Sequence, residues 1–116
     1  MQNVLPARMA DGRLRIGDLS FDMSTPHRNH CLAAIRPEHI RLRPAGSHGN
    51  DGNGFCGQVE RLIHHDHFIE LSVGVGAITL KTIVLAGALL EMNIQPGATV
   101  NLHIDPSDIH IIPERP

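Results

Sequence analysis

The sequence predicts an all-β protein, a sandwich or small barrel of short antiparallel strands with at most one short helix. Segments that alternate apolar and polar residues recur at intervals of about ten residues, and Gly, Pro, Asn or Asp turn signals separate them. Only residues 85–92 are plausible as a helix. A ten-residue motif, I-x-P-x-x-I-x-[L/I]-x-P, occurs at 35–44 and again at 104–113, and each copy is typical of two strands joined at a proline corner.

Residues 1–43 supply the first set of predicted strands. Turn signals at Asp11-Gly12 and Gly17-Asp18 separate extended segments. Between these turns, Leu14 and Ile16 alternate with arginines, as on a strand that buries one face. This part of the chain therefore predicts consecutive hairpins rather than helices.

The two copies of the repeated motif predict two strand corners. Pro37 and Pro106 fix φ and have no amide hydrogen to donate, so each marks the end of a strand. The residues before them, Arg36 and Asp105, are pushed towards extended backbone. We expect the two copies to be neighbours in one core, with the second copy closing the barrel at the C-terminus.

Residues 44–54 interrupt the strands. This stretch has four glycines in eleven positions and predicts a flexible loop, because it cannot bury a core. The chain is long enough for one domain, 1–116, in which the loop separates a first strand set, 1–43, from a second, 55–116.

The second strand set begins with a strand from Phe55 to Ile63. Strict alternation would put Arg61 and Ile63 on the same face as Val59. The remaining predicted elements are strands over 68–73, 78–84 and 99–104, a helix over 85–92 that Gly87 weakens, and a turn at Pro96-Gly97.

Composition and charge exclude several classes of function. No apolar run reaches the roughly 18 residues of a membrane helix. A net charge of −2, with three Phe and no Trp or Tyr, argues against a nucleic-acid partner. The charge is uneven, since residues 1–50 carry seven arginines against four acids, whereas residues 51–116 carry three basic residues against eight acids. Cys31 and Cys56 form no C-x-x-C motif, and we expect both to be buried thiols.

The sequence carries no recognisable catalytic motif. The nearest approach to a phosphate-binding G-x-x-x-x-G-K-[ST] loop is Lys81-Thr82, where Leu80 replaces the required glycine. G-x-S-x-G and H-E-x-x-H are absent, and no nucleophile–base pair is visible. We therefore predict that this chain is not an enzyme and has no catalytic or cofactor-binding residue.

Three of the nine histidines, His64, His65 and His67, fall in one short segment. On a strand, His65 and His67 would share a face, and imidazoles at that spacing can chelate one divalent ion. The alternative is a solvated connection between two apolar strands that holds no metal. We favour this connection, because polar residues commonly form such turns.

Arg41 and Arg43 lie two residues apart in the first copy of the motif. With Ile40 and Leu42 facing inward, both arginines would face outward on one side. They could then form a patch for a carboxylate, a phosphate or an acidic partner. Arginines on the solvent face of a strand are common, so an ordinary solvated face is the alternative.

The first copy of the motif also carries a family resemblance. Residues 34–42, A-I-R-P-E-H-I-R-L, resemble the IRPE motif in the C-terminal region of ATP-binding subunits of ABC importers of the maltose, polyamine, iron and sulfate types. Further matching segments follow the same order along nearly the whole chain. They are N-V-L-P-A-R at 3–8 with D-G-R-L at 11–14, G-Q-V-E-R at 57–61, Q-P-G-A-T-V at 95–100 and I-D-P-S-D-I-H-I at 104–111.

The resemblance implies a TOBE-type, OB-like β-barrel, the non-catalytic regulatory and dimerisation domain of such a subunit. The structural motif would consist of Arg36, Pro37, Glu38, Asp105 and Pro106. Arg36 and Glu38 would be the charged pair that stabilises the first corner. ATP and Mg²⁺ would bind to an ATPase core that this fragment lacks.

The resemblance also implies partners. They are a second copy through the parent subunit, the importer's membrane subunits through the ATPase core, and a regulatory protein or small anion at this domain. The chain would be cytoplasmic and peripheral to the inner membrane, in a transporter complex without nucleic acid. The residues alone leave a small metal- or oxyanion-binding β module as the alternative function.

Overall fold

The computed structural model describes residues 3–10, 12–23, 29–44 and 54–113. Ten strands and one short α-helix form the regular structure of these residues, together with two 3₁₀ turns, so the predicted all-β class is confirmed. Most of the predicted flexible loop, 44–54, lies outside the described residues. The strands are β1 (Asn3–Ala10), β2 (Arg13–Ile16), β3 (Leu19–Asp22), β4 (Asn29–Ile35), β5 (Ile40–Pro44), β6 (Gly54–His64), β7 (Phe68–Val75), β8 (Ile78–Leu85), β9 (Thr99–Ile104) and β10 (Ile109–Pro113), and the helix is α1 (Ala86–Glu91).

The strands form two five-stranded antiparallel sheets. The first sheet has the order β10-β4-β1-β2-β3, and the second has the order β5-β9-β6-β7-β8. The chain passes from the first sheet to the second through the 3₁₀ turn Pro37–His39 and returns through the 3₁₀ turn Pro106–Asp108. Proline suits the start of each turn because its φ is fixed and it has no N–H to satisfy. None of the described helices is long and apolar enough to cross a membrane.

The two copies of the repeated motif pair with each other. Ile35 pairs with Ile109 in the first sheet, and Ile40 pairs with Ile104 in the second. The residue before the corner in one copy therefore faces the residue after the corner in the other, which is the pattern of a two-fold repeat. All four isoleucines are buried, so the expectation that the copies are neighbours in one core is confirmed.

The core lies between the sheets and takes alternate residues from each strand. Leu14 and Ile16 of β2, with Leu19 and Phe21 of β3, are buried, and the residues between them are more exposed. Phe21 meets Phe55 of the second sheet edge to face, with ring centroids 5.1 Å apart. Burying such a side chain contributes about 1.5–3 kcal/mol, so these inner faces hold the two sheets together.

The structure corrects two predictions about β6 and its neighbours. Cys31 is buried as expected, but Cys56 is exposed on the outer face of the second sheet. The register of β6 against β7 shifts before Arg61, and this β-bulge reverses the alternation. As a result Leu62 packs against the core, whereas Arg61 and Ile63 are exposed.

Polar side chains close part of the outer edge of β8. The Thr82 hydroxyl lies between two carbonyl oxygens of the first corner, 2.7 Å from Ile40 O and 3.1 Å from Pro37 O, and they share its proton. The buried Asn3 amide donates to Lys81 O at 2.8 Å and accepts from Lys81 N–H at 2.7 Å, much as a neighbouring strand would. These bonds protect an edge that would otherwise be open to another chain.

Candidate binding surfaces

The first corner is built around Pro37, which is buried at the start of its 3₁₀ turn. Arg36 has φ −72° and ψ 138°, the extended backbone required before a proline. Arg36 and Glu38 are both exposed, and no ion pair joins them in the described part of the chain. The buried contact that stabilises this corner comes instead from Thr82 on β8. The motif residues shape the corner, and a distant strand holds it in place.

The second corner is stabilised by Asp105. Asp105 Oδ1 accepts hydrogen bonds from Ser107 N at 3.0 Å and from Ser107 Oγ at 2.9 Å. These bonds, the backbone bond foremost, hold the pKa of Asp105 below its ordinary value of 3.8, because they favour the charged carboxylate. His39 Nδ1 of the first corner lies 3.9 Å from Asp108 Oδ1 of the second. The two corners therefore form one continuous surface.

Arg41 and Arg43 lie on the outer face of β5, an edge strand of the second sheet. In the pairing of β5 with β9, Arg41 lies opposite His103 and Arg43 lies opposite Asn101. Arg41 is exposed and Arg43 is half-buried. Asp105 follows β9 and is near enough for its carboxylate to interact with Arg41. This patch can offer two guanidinium groups to an anion, with one carboxylate that partly offsets their charge.

The histidine segment forms the connection between β6 and β7. His64 ends β6, and His67 is exposed in the turn that leads to β7. The His65 ring stacks on Phe68 with ring centroids 4.5 Å apart, and its Nε2 lies 3.8 Å from Glu70 Oε1. These contacts hold His65 against β7. Across the residues that the structure describes, no three His, Cys, Asp or Glu side chains are grouped to hold a metal ion.

Three arginines that sequence reasoning did not single out converge on the outer face of the first sheet. Arg8 on β1 lies directly opposite Arg15 on β2, and Arg13 lies two residues before Arg15 on the same face. Together with Ala10 they line an open cavity of about 170 Å³. The signal for this cluster was present in the sequence, because the Asp11-Gly12 turn signal predicts a hairpin, and a hairpin turn fixes the register of its flanking strands.

An apolar strip adjoins the arginine cluster on the same sheet face. We define the strip as Val4, Pro6, Leu32 and Ile112, which come from β1, β4 and β10. Val4 is 51% and Ile112 45% exposed. The cross-strand pairs Pro6–Leu32 and Leu32–Ile112 make the strip continuous. One half of this face is thus apolar and the other basic, a pattern typical of a binding surface.

A second open cavity, of about 320 Å³, lies on the outer face of the second sheet. The Glu60 side chain lies across Gly74, and its carboxylate accepts a hydrogen bond from Thr79 Oγ1 at 3.2 Å. None of its described lining residues is cationic, so this part of the lining does not suit an anion. The lining residues are Cys56, Gly57, Gln58, Glu60, Gly74, Gly76 and Thr99.

Comparison with known proteins identifies the family. The sequence profile of the TOBE domain family matches residues 33–112, which include both proline corners. The chain belongs to the TOBE domain family. This match confirms, at the level of the family, the resemblance that the repeated motif carries. A TOBE domain is a non-catalytic module, so this chain is not itself an enzyme.

This TOBE domain is similar to the molybdate/tungstate import ATP-binding protein WtpC of Pyrococcus horikoshii, with 28% identity over 106 residues. The match covers 90% of this chain and 31% of the relative, so the chain spans about a third of that relative's length. The fold is similar to that of the cytoplasmic molybdate-binding protein ModG, solved with molybdate bound. The TM-score is 0.75 at 14% identity, and the match covers 95% of this chain and 94% of ModG. At that identity the likeness establishes the OB-like β fold and not the ligand.

The arginine cluster lies outside the family match. Arg8, Arg13 and Arg15 all precede residue 33, where the match to the TOBE family begins. Membership of the family therefore accounts for the corners and the strands between them, but not for the basic half of the first sheet's outer face.

Proposed function

We propose that this TOBE domain is the regulatory and dimerisation domain of the ATP-binding subunit of an ABC importer. One observation carries the proposal: 90% of the chain is similar to WtpC, an import ATP-binding protein. An ATPase core elsewhere in the subunit would hold ATP and Mg²⁺. The domain would work in the cytoplasm beside the importer's membrane subunits, with a regulatory protein or a small anion as its effector.

The complete reading frame around the gene tests this assignment. We expect an ATP-binding core with a G-x-x-x-x-G-K-[ST] loop in the same frame, and genes for membrane subunits beside it. The full subunit should hydrolyse ATP, and deletion of the whole described domain, residues 3–113, should leave hydrolysis intact while weakening dimerisation. A frame with no ATPase core, in a locus without importer genes, would contradict the proposal.

The apolar strip supports a second copy of the chain as the dimerisation partner. The strip contains no charged side chain, so two strips can face each other across a two-fold axis without burying an unpaired charge. The neighbouring arginines would then lie at the rim of the interface, where charges stay solvated. Burying Val4 and Ile112, now 51% and 45% exposed, would remove apolar surface from water.

Sedimentation equilibrium at micromolar concentrations tests this interface. We expect a dimer for the wild type and a monomer for Ile112→Asp, because the substitution would bury an unpaired carboxylate. Leu90→Asp is the matched control, since Leu90 is 81% exposed on α1 and lies outside the strip, and this variant should stay dimeric. A monomeric wild type, or an unweakened Ile112→Asp dimer, would rule out the strip as the interface.

A second candidate function is the binding of a tetrahedral oxyanion such as molybdate or tungstate. The observation that favours it is the pair Arg41 and Arg43 on one face of β5, beside His103, in a fold shared with a protein solved with molybdate bound. Titration calorimetry with molybdate and tungstate should show heat that disappears in the double variant Arg41→Gln/Arg43→Gln. The exposed Arg61 provides the charge-matched control, and Arg61→Gln should bind normally. Heat that persists in the double variant would overturn this candidate.

A further inference from the structure

We propose that Arg8, Arg13 and Arg15 form a binding site for a ligand of the diphosphate class, that is, one with two adjacent phosphate groups. The site is independent of the proposed importer role. It also differs from the Arg41–Arg43 patch, because it lies on the other sheet and outside the residues that match the TOBE family.

The three arginines are placed where their charges repel one another. Arg8 and Arg15 lie directly opposite each other on neighbouring antiparallel strands, and like charges in that position destabilise a sheet. Arg13 lies on the same face, about 7 Å from Arg15 along the strand. In the part of the chain described, Asp22 supplies the one carboxylate paired with the cluster, with its Oδ1 3.3 Å from Arg13 Nε. An anion bound between Arg8 and Arg15 would relieve the remaining repulsion.

The cavity between the arginines has the size and the lining for two phosphates. Its volume of about 170 Å³ equals roughly five or six water molecules in the liquid. Ala10 lies opposite Arg13 and forms part of the lining, and its small side chain keeps open the space that a larger residue would fill. Each guanidinium group is a planar fork that can donate to two phosphate oxygens. Two of the forks start about 7 Å apart along β2, a span that two linked phosphates cover better than a single phosphate.

The arginine side chains carry the recognition at this cavity. A nucleotide base is usually held by stacking on an aromatic ring. Phe21 of β3 is 1% exposed and belongs to the core, and the exposed ring on the other side is the small imidazole of His30, which lies opposite Arg8 on β4. We therefore expect free diphosphate and ADP to bind with similar affinity, and both to bind more tightly than inorganic phosphate.

Titration calorimetry of the chain with sodium diphosphate at low ionic strength tests the site. We expect binding that weakens as salt is added, because the groups are solvent-exposed. Arg15→Gln should weaken binding by about five-fold. Ala10→Leu should weaken it as much or more without any change of charge, because the leucine fills the cavity. The charge-matched control, Arg61→Gln on the second sheet, should bind like the wild type.

The Asp22→Asn variant should raise the affinity for diphosphate, whereas the preceding variants should lower it. Removing this carboxylate frees Arg13, so diphosphate should bind more tightly, a result that a misfolded variant cannot mimic. The proposal is overturned if millimolar diphosphate gives no heat, if Arg15→Gln and Ala10→Leu bind like the wild type, or if ADP binds far more tightly than diphosphate. The proposal is also overturned if the heat of diphosphate binding disappears in Arg41→Gln/Arg43→Gln but persists in Arg15→Gln. That result would assign the binding to the second sheet.

Discussion

Replacing Thr82 with valine tests how the first proline corner is held in place. Valine keeps the branched shape of threonine, so the substitution removes mainly the hydroxyl group. That hydroxyl lies 2.7 Å from Ile40 O and 3.1 Å from Pro37 O, and Thr82 is 1% exposed, so water cannot easily take its place.

The expected loss of stability is about 1–2 kcal/mol. A buried acceptor that loses its hydrogen-bond partner costs about 1–3 kcal/mol. The lower part of that range applies, because Pro37 O still accepts the hydrogen bond from the Ile40 N–H and Ile40 O bears most of the loss. For a domain of this size the change corresponds to a fall in Tm of about 5–10 °C.

Urea denaturation followed by far-ultraviolet circular dichroism measures the effect. Thr79→Val is the matched control, because Thr79 is exposed on the same strand and its hydrogen bond to Glu60 lies at the surface. This control should change the free energy of unfolding by less than about 0.5 kcal/mol. If Thr82→Val and Thr79→Val unfold at the same urea concentration with the same m-value, the hydroxyl does not stabilise the corner and the reasoning fails.

Two further predictions concern the second corner and two glycines. Bonds from Ser107 hold the pKa of Asp105 below 3.8, so the carboxylate stabilises the fold at neutral pH, and this contribution is lost as the pH falls through the lowered pKa. Asp105→Ala should therefore be less stable than the wild type to urea at neutral pH, and the difference should shrink as the pH falls below 3.8 and through the lowered pKa. Gly57→Ala should destabilise by about 1–3 kcal/mol, because its Cβ would lie 2.7 Å from Val73 Cγ1. Gly87→Ala has open space around the added Cβ and should stabilise α1 by up to about 1 kcal/mol. Equal melting temperatures for the two alanine variants would contradict this account.

Local chemistry in the sequence was enough to predict the fold class and most strands. Alternation at Leu14 and Ile16 predicts a strand with one buried face, and the prolines at 37 and 106 predict corners, because these signals depend only on a residue and its immediate neighbours. The same reasoning predicted that Arg41 and Arg43 share a face, and the structure has both on the outer side of β5. It could not tell whether they bind a ligand, since a solvated face has the same pattern.

Contacts between distant residues were decided by the tertiary structure alone. The bulge in β6 turns Leu62 rather than Arg61 towards the core, because the bulged register puts more buried apolar surface on that side. Asn3 bonds Lys81 across 78 positions of sequence, and no local pattern marks a polar residue that will complete the edge of a remote strand. Strands, turns and two proline corners were predictable from the amino-acid sequence, because these follow from short-range sterics. Only the closed fold decided which strands pair and which side chains meet, because those depend on the burial of the whole core at once.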